Sequence, residues 1–345
     1  MIFFNNAATT QKKPEGVKGA APKTEAEVKV LIGKLFGMKN ENNITFTHSG
    51  TQAVEMALRT FLKEGDHVVT TVMEQDATIE VLENIGVTYS LLGIDTYGTL
   101  KYDELEALIT PDTKAIVCAH GCSVTGNISD LGRVCTIARK HKLPVISDGC
   151  QTAGAAEVNL VNLEVDVYCF TGHKKLMGPV GVGGVCFANE ALKAEFDAAN
   201  KEAIGEIDEA KLGGLYAGVD FILEKGIYGV AMWPHRLAKR FFESSQSLDA
   251  VTIYGNFGTN DRIPTIAFSV KGFTPEEVTE YLRKEYGIVT KTGHHGSKLM
   301  HEALGTADTG LVRVSIGYHN NRFEVNDAIW ALMKLTDQMD FYLLS

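Results

Sequence analysis

A chain of 345 residues, 45% apolar and with only 8 prolines, is long enough for two domains or one large core with an appendage, and disorder is not expected to dominate it. The formal net charge of −10, without any stripe of Lys or Arg, argues against nucleic acid or an anionic membrane as the main partner. An anionic ligand must then be gripped locally. The six cysteines, Cys118, Cys122, Cys135, Cys150, Cys169 and Cys186, lie mid-chain in mostly apolar runs without CxxC spacing, which reads as reduced thiols in a cytoplasmic core. The start, Met1-Ile2-Phe3-Phe4-Asn5, has no basic n-region, and no apolar run reaches spanning length, so neither export nor membrane insertion is implied.

In chain order, the pattern predicts strand 44–47, helix 51–63, strand 67–71, helix 77–85, strand 87–92, helix 102–108, strand 114–119, helix 131–141, strand 144–147 and strand 165–170. Alternation of this kind gives parallel strands joined by right-handed crossovers. The expected fold class is therefore α/β, a doubly wound, mostly parallel sheet whose ligands sit beyond the carboxyl ends of its strands. Helical patterns at 188–199, 210–224 and 231–245 lead to strands 251–253 and 263–270, helix 274–285, strands 288–291 and 311–315, and helix 324–339. That second series reads as a smaller α+β domain. Gly226 and Gly229 punctuate the helical stretch, which puts the division at 1–225 and 226–345.

Four segments carry chemistry. Phe46-Thr47-His48-Ser49-Gly50-Thr51-Gln52 joins a strand to a helix, so the amides of Gly50 and Thr51 open that helix and face an anion; an ordinary Ser/Thr cap is the bland alternative. Asp148-Gly149-Cys150-Gln151 ends an apolar strand, where an aspartate is either a turn former or the partner of a buried cation. Thr171-Gly172-His173-Lys174-Lys175 follows the next strand; Lys174 supplies an amine, Thr171 and His173 hold a phosphate, and Lys175 is expected to be solvated surface. Amine and carboxylate together suit pyridoxal phosphate: Lys174 binds the aldehyde as a Schiff base and Asp148 protonates the pyridine nitrogen. Cys150 then packs beneath the ring and Gln151 reaches its phenolic oxygen. Arg313, in the apolar strand Leu311–Ser315, is costly unless it meets an anion, either a substrate carboxylate or a structural acid. His294-His295 carries no completed ligand set, and no metal site is expected, because neighbouring strand residues face opposite ways.

These motifs resemble the class V aminotransferase family of fold-type I pyridoxal phosphate enzymes, most closely its cysteine desulfurase and selenocysteine lyase branch. Asn6-Ala7-Ala8-Thr9-Thr10 is similar to the family's N-terminal signature, and Lys291-Thr292-Gly293-His294-His295 with Arg313-Val314-Ser315 to its substrate-carboxylate region. The resemblance implies a homodimer with active sites near the subunit interface, and substrate contacts from Asn6 as well as Arg313. Departures are as informative. Gly296-Ser297 stands where a desulfurase has its persulfide-forming cysteine, and Gln75 of Met73-Glu74-Gln75 stands where a histidine stacks on the cofactor ring. Gln75 hydrogen-bonds but moves no proton at neutral pH. Ser123 replaces a usual asparagine and Lys291 a frequent arginine, the segment after the N-terminal signature is cut to Glu15–Ala21, and no Gly-Thr-Pro-type loop is visible between Ala199 and Gly214.

The resemblance implies C–S or C–Se cleavage in a small sulfur- or selenium-containing amino acid, with elimination or release of free sulfide favoured over relay to a carrier; a sulfur-acceptor protein is compatible but not implied. Transamination or racemisation on the same scaffold, and a degenerate protein that keeps the fold without turnover, stand as alternatives.

Overall fold

The computed structural model describes residues 1–259 and 261–343, with side chains as far as residue 337. Strand β1 (Ile2–Phe3) precedes an irregular segment and helix α1 (Glu25–Leu35). A capping box starts that helix: Thr24 Oγ1 accepts from the Glu27 amide, and the Glu27 carboxylate accepts from the Thr24 amide. Then come β2 (Ile44–Thr47), α2 (Gly50–Phe61), β3 (His67–Thr71), α3 (Asp76–Ile85), β4 (Thr88–Leu92), β5 (Thr113–Val117), α4 (Leu131–Lys140), β6 (Val145–Asp148), the single turn α5 (Leu160–Leu163), β7 (Val167–Thr171) and β8 (Gly183–Phe187). Helices α6 (Glu190–Ile204), α7 (Glu209–Lys225) and α8 (Ile227–Ser245) lead to β9 (Val251–Tyr254) and β10 (Thr265–Val270). The chain continues through α9 (Pro275–Tyr286), β11 (Ile288–Val289), β12 (Lys291–Gly293), α10 (Lys298–Ala303), β13 (Leu311–Ser315) and α11 (Arg322–Leu343).

Seven strands form one sheet in the order β2-β8-β7-β6-β5-β3-β4, the mostly parallel α/β architecture expected from the alternation. Only β8 runs against its neighbours, β2 and β7. Its link to β7, residues 172–182, contains no helix and is too short for the crossover that a parallel pairing needs. A second sheet, β12-β13-β10-β9, is antiparallel, and β1 pairs in parallel with β11. The first residues therefore travel with the last third of the chain: Phe4 is buried in one core with Leu237, Phe241, Phe268 and Val314, while a larger core surrounds the seven-stranded sheet.

Several elements differ from the sequence expectation. Residues 102–108 form two 3₁₀ turns, Tyr102–Glu104 and Glu106–Leu108, in place of an α-helix. Seven residues give too few helical bonds to offset nucleation, and the buried Tyr102 is instead held by its hydroxyl, which accepts from the Asp130 amide. The strand expected at 288–291 is two strands because its halves have different partners, β1 and β13. Strand β10 starts only after Pro264, which has no amide to give a ladder. Helices α1 and α10 and strand β8 were not anticipated, although Thr24-x-x-Glu27 carried the signal for α1.

Candidate active site

Three strand ends of the large sheet enclose a cavity of about 210 Å³ lined by Gly50, Thr51, Gln75, Asp148, Cys150, Thr171, His173 and Lys174 among others. At the first end, Ser49 caps α2, its Oγ accepting from the Gln52 amide at 3.0 Å. Helix geometry leaves the N–H groups of Gly50 and Thr51 without intrahelical acceptors, directed at the cavity. Glycine is required at position 50, since a Cβ there would lie 2.3 Å from Cys150 Sγ and 2.9 Å from Thr171 Cβ. At the second end, Asp148 Oδ1 accepts from the Cys150 amide at 2.8 Å, which orients the carboxylate. Burial, followed by the Asp148 charge, pushes the Cys150 thiol well above its ordinary value, so it packs as an apolar group. At the third end, Thr171 Oγ1 lies 2.9 Å from His173 Nδ1. Burial, with help from Lys174 and Lys13, pushes the His173 imidazole down to about 4, so the ring is neutral at neutral pH.

The turn carrying Lys174 is strapped from outside by the N-terminal segment. The His173 carbonyl accepts from the Thr10 amide (3.3 Å), Thr9 Oγ1 (3.3 Å) and Lys13 Nζ (2.6 Å), and the Lys174 carbonyl accepts from Thr10 Oγ1 (2.7 Å). Lys174 itself is half-buried. Lys175, expected to be solvated, is 6% exposed, and its Nζ donates to the Ile316 carbonyl at 3.2 Å. Its side chain is enclosed because the segment following β13 lies over it. Burial, with Arg313, Lys13 and Lys174 adding repulsion, pushes its amine down to about 7.

A second cavity, of about 420 Å³, shares Lys174 and Gln75 with the first and is otherwise lined by Ala7, Ala8, Gln151, Lys291, Thr292, His294, His295, Gly296 and Arg313. Arg313 is 4% exposed; Nη1 donates to the Ser123 carbonyl (3.0 Å), Nη2 to Asn5 Oδ1 (3.2 Å), and Nε has no partner among the described residues. Burial pulls its guanidinium down to about 10, which still leaves it charged at neutral pH. Gln151 is buried with Oε1 unpartnered among the described residues, its Nε2 donating to the Ala7 carbonyl at 3.5 Å. It therefore lines the outer cavity and not the inner one. Over the junction, Gln75 Nε2 donates to Ser123 Oγ and Ser297 Oγ, both at 2.8 Å, and the two hydroxyls are 3.0 Å apart.

Asn6 lies outside both cavities. Its amide nitrogen donates to the carbonyls of Phe3 (3.2 Å) and Ser315 (3.0 Å) and to Asn320 Oδ1 (3.2 Å), which ties the first residues to β13; Ala7, Ala8 and Asn5 approach the site in its stead. His294 and His295 are not opposed on a strand, because β12 ends at Gly293 and His295 sits at a left-handed φ of 58°. Both rings pack on His301, with centroids 5.1 and 5.6 Å away. Among the described residues no group of three His, Cys, Asp or Glu side chains could hold a metal ion, no helix is long and apolar enough to cross a membrane, and the six cysteines are unpaired and buried. A larger cavity of about 910 Å³ between α4 and α8 contains none of the residues singled out from the sequence.

A sequence model of the aminotransferase class-V family matches residues 2–327. The chain belongs to this family. A probable cysteine desulfurase of Halalkalibacterium halodurans is 25% identical over 340 residues, an alignment covering 90% of this chain and 80% of the relative. A cysteine desulfurase of Synechococcus elongatus is 23% identical over 97% of this chain, which spans 60% of that relative's length. Among solved structures, the apo cysteine desulfurase of Thermococcus onnurineus NA1 superposes with a TM-score of 0.87 at 24% identity, over 98% of this chain and 95% of the other.

Within this class-V scaffold, several residues around the site gave no usable signal in the sequence. Lys13 sits in a polar run, Gln11-Lys12-Lys13, that looks like any solvated segment, and Asn5 precedes the motif that drew attention. Glu74 is 1% exposed; Oε1 accepts from the Ala119 amide (2.6 Å) and Thr71 Oγ1 (2.9 Å), while Oε2 is unpartnered among the described residues. Burial, opposed by those bonds and aided slightly by the Asp148 charge, pushes its carboxyl up to about 8. It clamps the end of β3 to the residues after β5 and so fixes the turn that carries Gln75.

Proposed function

We propose that this chain is a pyridoxal phosphate-dependent enzyme that cleaves the C–S or C–Se bond of a small amino acid and releases the sulfur or selenium without a cysteine relay. The observation that carries the reading is that Lys174 lines both cavities, one offering a carboxylate and helix-end amides, the other a buried arginine with an unused donor.

The residues fit the cofactor. The cradle at Gly50 is closed to any larger residue, and Asp148 and Lys174 share its lining. Gly50, Thr51, Thr171 and neutral His173 would hold the phosphate by hydrogen bonds, Asp148 the ring nitrogen, Cys150 one ring face and Gln75 the other. When bound, the group supplies an aldehyde for covalent attachment and a cationic ring that accepts electrons from the substrate. Arg313 orients the α-carboxylate through a charge-assisted bond from Nε. Nζ of Lys174, which lines both cavities, would be placed to take the substrate's Cα proton. Gln75, held by Ser123 and Ser297, excludes water above the junction and moves no proton.

The loop after β12 explains the preference for release over relay. Gly296 replaces the sulfur-accepting cysteine, and its carbonyl accepts from the Asp76 amide (2.8 Å) while Asp76 Oδ1 accepts from the Lys298 amide (2.6 Å). A loop pinned to Asp76 at position 296 and again at 298 is poorly placed to swing a carrier group out to a partner. A homodimer in the cytoplasm completes the reading, with residues 1–225 and 226–345 as its two units and β1 crossing between them.

The test is direct. Protein incubated with pyridoxal phosphate gains a visible absorption band that Lys174→Ala lacks, and incubation with cysteine, cystine and selenocysteine is followed by separate assays of sulfide, selenide, alanine and pyruvate. Pyruvate with ammonia and sulfide or selenide marks elimination, and alanine with zero-valent sulfur or selenium marks desulfuration. A protein that stays colourless with cofactor, or that makes pyruvate from alanine only with an oxo-acid acceptor, refutes the reading.

A further inference from the structure

The cavity of about 910 Å³ between α4 and α8 shares no lining residue with the two cavities around Lys174. Its volume is within the range of pockets that enclose small organic molecules. Three parts of the chain give it apolar walls, with Ile128 and Leu131 from one, Met232 of α8 from another and Phe257 from the loop after β9. Three of its polar lining residues, His120, Ser129 and Arg262, are buried. The Ser129 hydroxyl is spent on the Ala119 carbonyl at 2.7 Å. The other two keep an unspent edge.

His120 Nδ1 lies 2.9 Å from Thr152 Oγ1 and 3.1 Å from the Tyr168 hydroxyl, while Nε2, on the opposite edge of the ring, makes no hydrogen bond among the described residues. Burial pushes this imidazole down to about 4, so it offers hydrogen bonding without charge at neutral pH. Arg262 is 4% exposed, and the Phe257 ring covers one face of its guanidinium, with Cζ 3.4 Å from the centroid. Nη1 donates to the Asn256 carbonyl (2.7 Å) and Nη2 to the carbonyls of Thr125 (2.8 Å) and Thr265 (2.7 Å). Nε has no partner among the described residues.

Three neutral carbonyls do not cancel a buried charge, and a guanidinium taken out of water is costly until an anion meets it. The arginine ion pairs among the described residues belong to Arg59, Arg133, Arg139 and Arg283, and none reaches Arg262. The acids of the cleft are engaged or lie at its mouth. Asp130 Oδ1 accepts from the Arg133 amide (3.0 Å), the Glu157 carboxylate accepts from the Tyr228 hydroxyl, and Asp261 is exposed, as are Arg236 and Lys239. Charge at the mouth is therefore mixed, whereas the buried charge is positive.

We propose that this cleft is a second binding site, for a small organic monocarboxylate whose charged end pairs with Arg262 and whose apolar body lies along Ile128, Leu131 and Met232. A single unspent Nε gives one charge-assisted bond, which suits a monoanion. A phosphate dianion would leave most of its oxygens without donors at that base and would gain nothing from the apolar walls.

The experiment is a calorimetric titration of the full chain, with and without added pyridoxal phosphate, using benzoate, its neutral analogue benzamide and inorganic phosphate. Benzoate binds saturably at one site per chain and at least tenfold tighter than either of the others, a difference of about 1.4 kcal/mol. Its affinity changes less than twofold on adding the cofactor or in Arg313→Lys. Arg262→Gln weakens benzoate at least tenfold. Because Arg262 also ties three carbonyls together, Ala231→Trp is the independent variant: it fills the cleft from α8, touches none of the groups that Arg262 bonds, and weakens benzoate at least tenfold with an unchanged circular dichroism spectrum. Absence of saturable benzoate binding overturns the proposal, as does equal affinity for benzamide or phosphate, or benzoate affinity that survives Ala231→Trp. Binding lost in Arg313→Lys or on adding the cofactor overturns it too, by placing the carboxylate in the cavities around Lys174.

Discussion

The inner cavity draws its lining from residues 49–174, at strand ends of one sheet, whereas the outer cavity is assembled from residues 7–8, 75, 151, 174 and 291–313. One is made largely of backbone amides, a caged glycine and half-buried carboxyls; the other sets the cationic Lys174, Lys291 and Arg313 beside Ala7 and Ala8 from the start of the chain. The contrast teaches that the part holding a cofactor is set by a single sheet, while the part choosing a substrate is set by how the two cores are laid together. Apart from the shared Gln75 and Lys174, side chains at the second can change without disturbing the first.

The widest separation between the two is expected from Asp148→Asn. It leaves the inner cavity's shape intact but cannot keep a ring nitrogen cationic, and should lower kcat by at least about a hundredfold, a loss on the order of 3 kcal/mol, with the absorption band shifted in position. A variant with near-native kcat would break the assignment of the inner cavity. Glu74→Gln probes the support behind that cavity. The native carboxyl is raised from 4.5 to about 8 on folding, so its contribution is favourable below pH 4.5 and is lost as the pH rises to about 8. Relative to the native protein, the variant therefore gains stability from pH 5 to pH 8, on the order of 4 kcal/mol across the window, and no more above it. Denaturant titrations at pH 5, 6.5 and 8 check this, and a pH-independent difference would show that the carboxyl ionises normally.

Arg313→Lys acts on the outer cavity alone. Losing a forked donor set costs about 1.5–2 kcal/mol, read as a ten- to thirtyfold drop in kcat/KM carried mainly by KM, with the cofactor band unchanged. Should the band vanish as well, the two cavities are not separable. The smallest effect is expected from Gly296→Ala. The space there is open, with Gln75 Oε1 3.7 Å from an added Cβ, but the φ of 69° costs an L side chain roughly 1 kcal/mol. Thermal unfolding should show a drop of a few degrees at most.

This difference in assembly also explains what could be read beforehand. Ser49-Gly50-Thr51, Asp148 and Thr171–Lys174 each follow an apolar strand run, and strand ends of a parallel sheet converge on one edge, so their meeting followed from local pattern. Lys291 and Arg313 were visible as single residues, but their register across β12–β13 was not, because the split of 288–293 into two strands is decided by distant partners. Asn6 was misplaced by one residue's worth of direction: the amide turns to β13 while Asn5 turns to Arg313. Lys175 was misjudged because a lysine pair in a turn gives no hint that a loop 141 residues later will cover one of the two.

The strap across the Lys174 turn has a practical side. Residues 9–13 hold that turn, and they are themselves moored by β1 on β11 and by Phe4 in the smaller core. An affinity tag or a protease nick ahead of position 14 would slacken the mooring without unfolding the large sheet, so a preparation altered there should look well folded by circular dichroism yet handle its coenzyme poorly.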